Sequence, residues 1–315
     1  VTKGKDPMMN GEGVMTYWGE AQRRGMSLRT AAKAAGLDGS VLCRALKGSY
    51  AGDLEGVEAK CLRALDALSG PAVIPTSVVA GCRAVCAAAF AAREIGMVWG
   101  PTQCGKTTAL EQCCRENAAY RMFRFPATAG TGALAEEIAR AYGVLALGGG
   151  FRDNRRRILD AARDTLLIAD EVHEVFAAHG HGAAVRELEF LREIHDRSGC
   201  GVVLCGTDAM PRNMQGGQFA PVLRQTLERG LVRKAFGGRP AWRDVTAAAR
   251  HHGISEAPDE AATKQWQARM KGMSFGAVCR LLRSAAHMAA KRGKPMCWER
   301  VADALATLDQ FAAAE

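Results

Sequence analysis

GPTQCGKTT (residues 100–108) stands between the apolar run IGMVW (95–99) and the run ALEQCC (109–114). The pattern G-x-x-x-x-G-K-[ST] is met by Gly100, Gly105, Lys106 and Thr107, in strand, turn and helix order. Glycines let successive backbone N–H groups curl toward an anion. The first turn of the following helix leaves its N–H groups unpaired and adds the positive end of its dipole. Pro101, Thr102, Gln103, Cys104 and Thr108 complete the loop. Lys106 is placed to reach the outer phosphates of a nucleotide and Thr107 to ligate Mg²⁺. The stretch predicts a phosphate cradle for ATP and Mg²⁺ on an α/β core. The competing reading is a glycine turn that happens to carry a lysine.

A phosphate loop needs an acidic strand end to organise the metal, and TLLIADE (165–171) supplies one. A buried strand there delivers Asp170 toward Mg²⁺, with Glu171 beside it as candidate base for the attacking water. The pair favours hydrolysis over phosphoryl transfer, although acids after a strand can also cap the next helix. The apolar run GVVLCGT (201–207) ends in Thr207, a candidate polar sensor of the water or γ-phosphate. Beyond it, PRNMQGGQFAPVLRQTLERGLVRK (211–234) concentrates Arg224, Arg229 and Arg233. An arginine offered there to a neighbouring subunit makes hydrolysis depend on assembly. A solvated basic helix face is the alternative.

Outward from this centre, strands alternate with helical segments from residue 78 to 206, which argues for a parallel sheet covered on both faces. After about 240 the strand signals stop, and AWRDVTAAARHHG, EAATKQWQARMKG, FGAVCRLLRSAAHMAAKRG and WERVADALATLDQF read as helices closed by glycines. Proline and glycine in LSGPAVIPTS (68–77) mark a linker. The expected domains are 1–70, an all-α helix-turn-helix; 71–238, the α/β ATPase core; and 239–315, a small helical lid. In MSLRTAAKAAGLDGSVLCRALKGSY (26–50), Ser27 and Ser40 are candidate caps, with Gly36 and Leu37 at the turn. Val41, Leu42, Ala45 and Leu46 then face inward and Arg44 and Lys47 outward, placed for phosphate contact more than base readout. A plain helical interaction module is the other reading.

The formal charge of +9 and pI near 9.1 favour a polyanionic partner, nucleic acid before acidic membrane. RDNRRR (152–157), with Arg152, Arg155, Arg156 and Arg157, is the strongest cluster and reads as a DNA-backbone contact or an exposed helix face; AAKRGKP (289–295) is a second. Aromatic residues are sparse between these basic groups, which disfavours stacking on single-stranded bases. The eleven cysteines sit among apolar neighbours without paired C-x2-C spacing, which argues against zinc and for a reducing, cytoplasmic setting. No apolar run is long enough to span a membrane.

Together these stretches resemble the AAA+ target-DNA activators of the phage Mu B-protein family. The likeness runs from AGLDGSVLCRALKGSYAGD through GPTQCGKT, RDNRRRILDAARDTLLIADE and GVVLCGTDAMPRNMQGG to the helical tail, and NMQGG (213–217) is its most specific element. The resemblance implies ATP-dependent filaments on duplex DNA with little sequence preference, contact with a transposase, and hydrolysis that releases target. It places Lys106 and Thr107 on the phosphate loop, Asp170 and Glu171 on the acidic strand, Thr207 where relatives carry asparagine, and Arg229 on a serine-arginine position with Glu228 replacing the serine. Cys279 stands where the family has its second-sensor arginine, with Arg280 and Arg283 nearby on the helix. Cys104, at a helix N-terminus that activates thiols, is expected to block ATP binding when alkylated. Two other classes stay open: an ATP-regulated helix-turn-helix regulator or helicase loader, and a small-molecule kinase fused to such a domain.

Overall fold

The computed structural model describes residues 11–23, 26–69, 73–126, 130–146, 148–178, 181–216 and 232–313. The chain divides into two compact units, residues 1–73 with 114–118, and residues 74–113 with 119–315.

The first unit is helical: α1 Glu12–Arg23, α2 Leu28–Ala34, α3 Gly39–Leu46 and α4 Leu54–Ser69. Val14, Tyr17, Ala31, Leu42 and Cys61 form its core. The Tyr17 hydroxyl donates to the Ala31 carbonyl at 2.6 Å, so the ring is buried without an orphaned polar atom. Ser27 caps α2, its hydroxyl accepting from Thr30 N. The cap of α3 is Asp38 rather than Ser40: the helix begins at Gly39, and the Asp38 carboxylate accepts from Ser40 N at 2.8 Å. A carboxylate two residues earlier outcompetes the serine because it adds charge at the positive helix end. Leu42 and Ala45 point inward while Arg44 and Lys47 are exposed.

The second unit opens with α5 Ser77–Ala92, then β1 Ile95–Trp99, α6 Lys106–Glu116, β2 Tyr120–Arg124, α7 Thr131–Tyr142, α8 Phe151–Ala161 and β3 Leu166–Asp170. There follow α9 Glu174–Ala178, α10 His181–Ser198, β4 Gly201–Gly206, α11 Ala209–Gln215 and β5 Val232–Ala235. Four helices close the chain: α12 Trp242–His251, α13 Glu260–Arg269, α14 Phe275–Lys291 and α15 Trp298–Ala313. The strands form one parallel sheet in the order β2-β3-β4-β1-β5. β3 and β4 are buried along their whole length, as central strands covered on both faces must be. Each buried Leu or Ile side chain there contributes about 1.5–3 kcal/mol relative to exposure.

β5 is absent from the sequence reading, which placed Arg233 beyond the last strand. Arg233 instead lies within this edge strand, whose residues are mostly exposed and carry no alternating or continuous apolar pattern. The C-terminal helices bury Val245, Ala248, Trp266, Leu281, Leu282 and Val301, with Trp298 packed against Trp266 and Trp242 at centroid distances of 5.1 and 5.7 Å. Asp244 on α12 accepts from the backbone N–H of Ser77 at 2.8 Å and from its hydroxyl, tying this bundle to the start of α5. All eleven cysteines are free. Burial pushes the Cys82 and Cys205 thiols up, and that of Cys61 to about 11, as for small core side chains. Among the described residues no helix is long and apolar enough to cross a membrane.

Candidate nucleotide site

The sheet order decides what meets at its carboxyl edge. The chain leaves β1 for the far edge of the sheet and returns through β3 to β4, which pairs with β1 on one side and β3 on the other. In parallel α/β sheets such reversals open a crevice where ligands bind. Trp99, the last residue of β1, lies level with Gly206 at the end of β4, and Asp170 lies level with Arg124 at the end of β2. The phosphate loop, Thr207 and the acidic pair therefore emerge on one rim.

Gly100 is buried, and a Cβ on it would stand 2.7 Å from the Phe236 carbonyl oxygen, so glycine is required by close approach. Pro101, Gly105 and Lys106 are half-buried, and Thr102, Gln103, Thr107 and Thr108 are exposed. Gln103 holds φ of 62°, a left-handed conformation uncommon outside glycine. α6 starts at Lys106, so the N–H groups of its first turn face the loop without intrahelical acceptors. Lys106 Nζ donates to the carbonyls of Gly100 at 2.7 Å and Pro101 at 2.9 Å, and lies 3.6 Å from Cys104 Sγ. Cys104 is only 4% exposed, so its thiol faces Lys106 rather than solvent.

The Thr107 hydroxyl donates to Asp170 Oδ2 at 2.8 Å. Asp170 is 2% exposed, at the end of a fully buried strand. This pair of hard oxygen donors, one of them a carboxylate beside the phosphate loop, suits Mg²⁺, which takes a carboxylate or two and completes its shell with phosphate and water oxygens. Glu171 has φ of 58°, so the extended backbone of β3 ends there. Its carboxylate lies 3.7 Å from Arg124 Nη2 and 3.3 Å from His173 Nδ1. Thr207 is half-buried immediately after β4. Arg224 and Arg229 lie outside the described residues.

Several site features were not legible in sequence. A cavity of about 100 Å³ adjoins the loop, lined by Thr76, Cys104, Phe236, Asp244 and Phe275. Gln103 bonds the start of α14: its backbone carbonyl accepts from Gly276 N at 2.8 Å, and its side-chain oxygen accepts from Ser274 Oγ at 3.0 Å and Arg280 Nη2 at 2.9 Å. Of the two α14 arginines left open by sequence, Arg280 reaches the loop. These contacts join residues more than a hundred positions apart, beyond any local pattern.

The basic helix α8 sorts its arginines. Arg155 donates to both carboxylate oxygens of Glu193, from Nε at 3.0 Å and from Nη2, and Arg197 also donates to Glu193 at 3.2 Å. The Arg155 hydrogen bond holds the Glu193 carboxyl below the usual range. Arg152, Arg156 and Arg157 are exposed and form no ion pair among the described residues. Arg152 and Arg156 lie about 40° apart around the helix, while Arg157 is turned by about 100° from Arg156. The shared face continues to Arg163 along a groove of about 340 Å³. In the N-terminal unit, Arg44 lies 5.6 Å over the Tyr50 ring and donates to Ser40 O, which commits part of its guanidinium to the protein itself.

Residues 91–214 match the family model of an AAA domain. A comparison with curated protein sequences gave no match. Among solved structures, the ORC2 protein of Aeropyrum pernix in its ADP form is similar over 76% of this chain and 71% of that chain, at 14% sequence identity and a TM-score of 0.55. The chain has the α/β P-loop fold of AAA+ proteins, with a parallel sheet and helical additions.

Proposed function

We propose that this chain is a DNA-associated AAA+ ATPase that assembles on duplex DNA when ATP is bound and delivers that DNA to a transposase. The observation that carries the ATPase reading is the Thr107–Asp170 hydrogen bond, which brings the phosphate loop and the acidic strand together across an intervening strand. In this reading the backbone of residues 100–108 cradles the phosphates, Lys106 leaves its carbonyl partners for the outer phosphates, and Thr107 and Asp170 hold Mg²⁺. Bound Mg²⁺ neutralises charge on the phosphate oxygens. Glu171 orients and deprotonates the attacking water, Thr207 holds its far side, and Arg229 of a neighbouring copy completes the site. The small cavity beside the loop, with Phe236 and Phe275 in its wall, offers aromatic surface next to the phosphate cradle. The similar ORC2 structure, an ADP form, agrees with nucleotide occupancy of this fold.

The transposase role rests on the family resemblance of the quoted motifs. Turnover of ATP measured alone, with duplex DNA, and with DNA plus transposase tests it: stepwise stimulation is expected, and equal rates at concentrations that permit oligomers contradict it. Electron micrographs with a slowly hydrolysed ATP analogue should show continuous cover along the duplex. The second reading, an ATP-regulated helix-turn-helix regulator or loader, draws on the exposure of Arg44 on α3 and of Lys47 at its C-cap. A short sequence-specific footprint without filaments would favour it.

Duplex contact is assigned to the open face of α8. Arg152→Ala with Arg156→Ala should lower the slope of log affinity against log salt by about 0.9 per lost phosphate contact, hence about 1.8 for the pair. Arg155→Ala should change the slope little and instead loosen the α8–α10 contact, because its guanidinium already serves Glu193. Equal slopes for all variants would remove α8 from the interface.

A further inference from the structure

Gln103 occupies a position that the phosphate-loop pattern leaves unspecified, yet its side chain and its backbone carbonyl both bond the start of α14. Its left-handed backbone turns its carbonyl toward α14, where Gly276 N donates to it at 2.8 Å. The approach is close, since a Cβ on Gly276 would lie 3.1 Å from Gln103 Cβ and 3.3 Å from its carbonyl oxygen. The Gln103 side-chain oxygen accepts both from Ser274 Oγ, itself the N-cap of α14, and from the Arg280 guanidinium. One residue thus fastens the loop to the cap, the first turn and the second turn of the lid helix.

We propose that Gln103 is a positioning residue that docks α14 on the phosphate loop and presents Arg280 to the nucleotide. The proposal rests on the nucleotide-site reading above. Its physical basis is pre-organisation: a helix start and a guanidinium already fixed against the loop lose little further freedom when phosphate arrives. Conversely, any change in the loop backbone that accompanies phosphate binding moves the acceptor shared by Ser274 and Arg280. Lid orientation then follows occupancy through this residue. A carboxamide fits the role because its oxygen accepts two donors without placing a negative charge beside the phosphates.

The test is a double-mutant cycle in the full chain, read by the Kd of a fluorescent ATP analogue, with hydrogen exchange of residues 274–280 followed without nucleotide. Gln103→Ala should weaken binding about tenfold, as expected for loss of a hydrogen bond to a charged group. Arg280→Ala should do the same, and the double variant should lose no more than either single one. Exchange across 274–280 should rise in Gln103→Ala. In Gln103→Glu it should stay at the parental level, since the carboxylate retains both acceptor contacts, while nucleotide binding weakens through repulsion. Additive losses, or parental exchange in Gln103→Ala, overturn the proposal. Lys106→Ala separates the two layers: if it binds nucleotide as the parent does, the site reading itself fails, whereas its loss of binding alongside an additive cycle removes only the Gln103 role.

Discussion

Lys106→Ala is expected to reduce ATP affinity by about a hundredfold, equivalent to about 2.8 kcal/mol, and to abolish nucleotide-dependent cover of DNA. The argument begins with what the ammonium does in the structure. It satisfies the Gly100 and Pro101 carbonyls at part-buried positions; water admitted in place of the removed side chain should take over these bonds, so the folded chain is expected to lose little stability. The large effect lies in binding. Hydrogen bonds between charged groups are worth about 1.5–3 kcal/mol each, and a cation against phosphate oxygens loses all of that on truncation. Thermal unfolding separates the two. Parent and variant should unfold at similar temperatures alone, but saturating MgATP should raise only the parent's midpoint. At a hundred times Kd the linkage amounts to about 2.7 kcal/mol. A variant stabilised by MgATP as strongly as the parent, and still coating long duplexes, would remove the phosphate loop from the account.

Much of this architecture is written locally. IGMVW, TLLIAD and GVVLCG are short continuous apolar runs, and each becomes a buried parallel strand because both sheet faces are covered. The loop motif names its own chemistry because glycine positions, lysine and threonine are fixed by spacing from a single turn. Three of the four helices of the C-terminal bundle are followed by a glycine with positive φ, Gly253, Gly272 and Gly293, which marks their ends in the sequence. What escaped is non-local or unpatterned. β5 forms on the sheet edge from VRKA, whose side chains are mostly exposed, so neither alternation nor apolarity announces it. The partner of Arg155 is on another helix, and without Glu193 the RDNRRR run reads as uniformly free charge when it is divided between a brace and an open face. The choice of Arg280 over Arg283 likewise depends on where α14 docks. Helical phase alone distinguishes the two by about 60°, and only the Gln103 contact shows which side meets the loop.

Glu171→Gln should separate binding from turnover. The carboxylate follows the buried Asp170 but leaves the strand through a left-handed residue, and its oxygens lie beside Arg124 and His173 while Asp170 engages the Thr107 hydroxyl. Glutamine preserves size and keeps an oxygen for the approach of His173. It gives up the attraction to Arg124, a 3.7 Å contact to a mostly exposed guanidinium, which is worth at most about 1 kcal/mol. Folding and ATP affinity should therefore stay close to parental. An amide cannot accept a proton from water, and removal of a general base costs about 10²–10⁴ in rate. Hydrolysis should fall by that factor, and DNA-bound assemblies formed with ATP should persist correspondingly longer, because the event that would release them is slowed. Asp170→Asn makes the informative contrast: it weakens the ligand set for Mg²⁺, so MgATP affinity and turnover should fall together. If Glu171→Gln hydrolyses ATP at the parental rate, the base lies elsewhere and the residue serves only to hold Arg124 and His173. If it instead loses binding as Asp170→Asn does, Glu171 belongs to the metal's surroundings rather than to the water's.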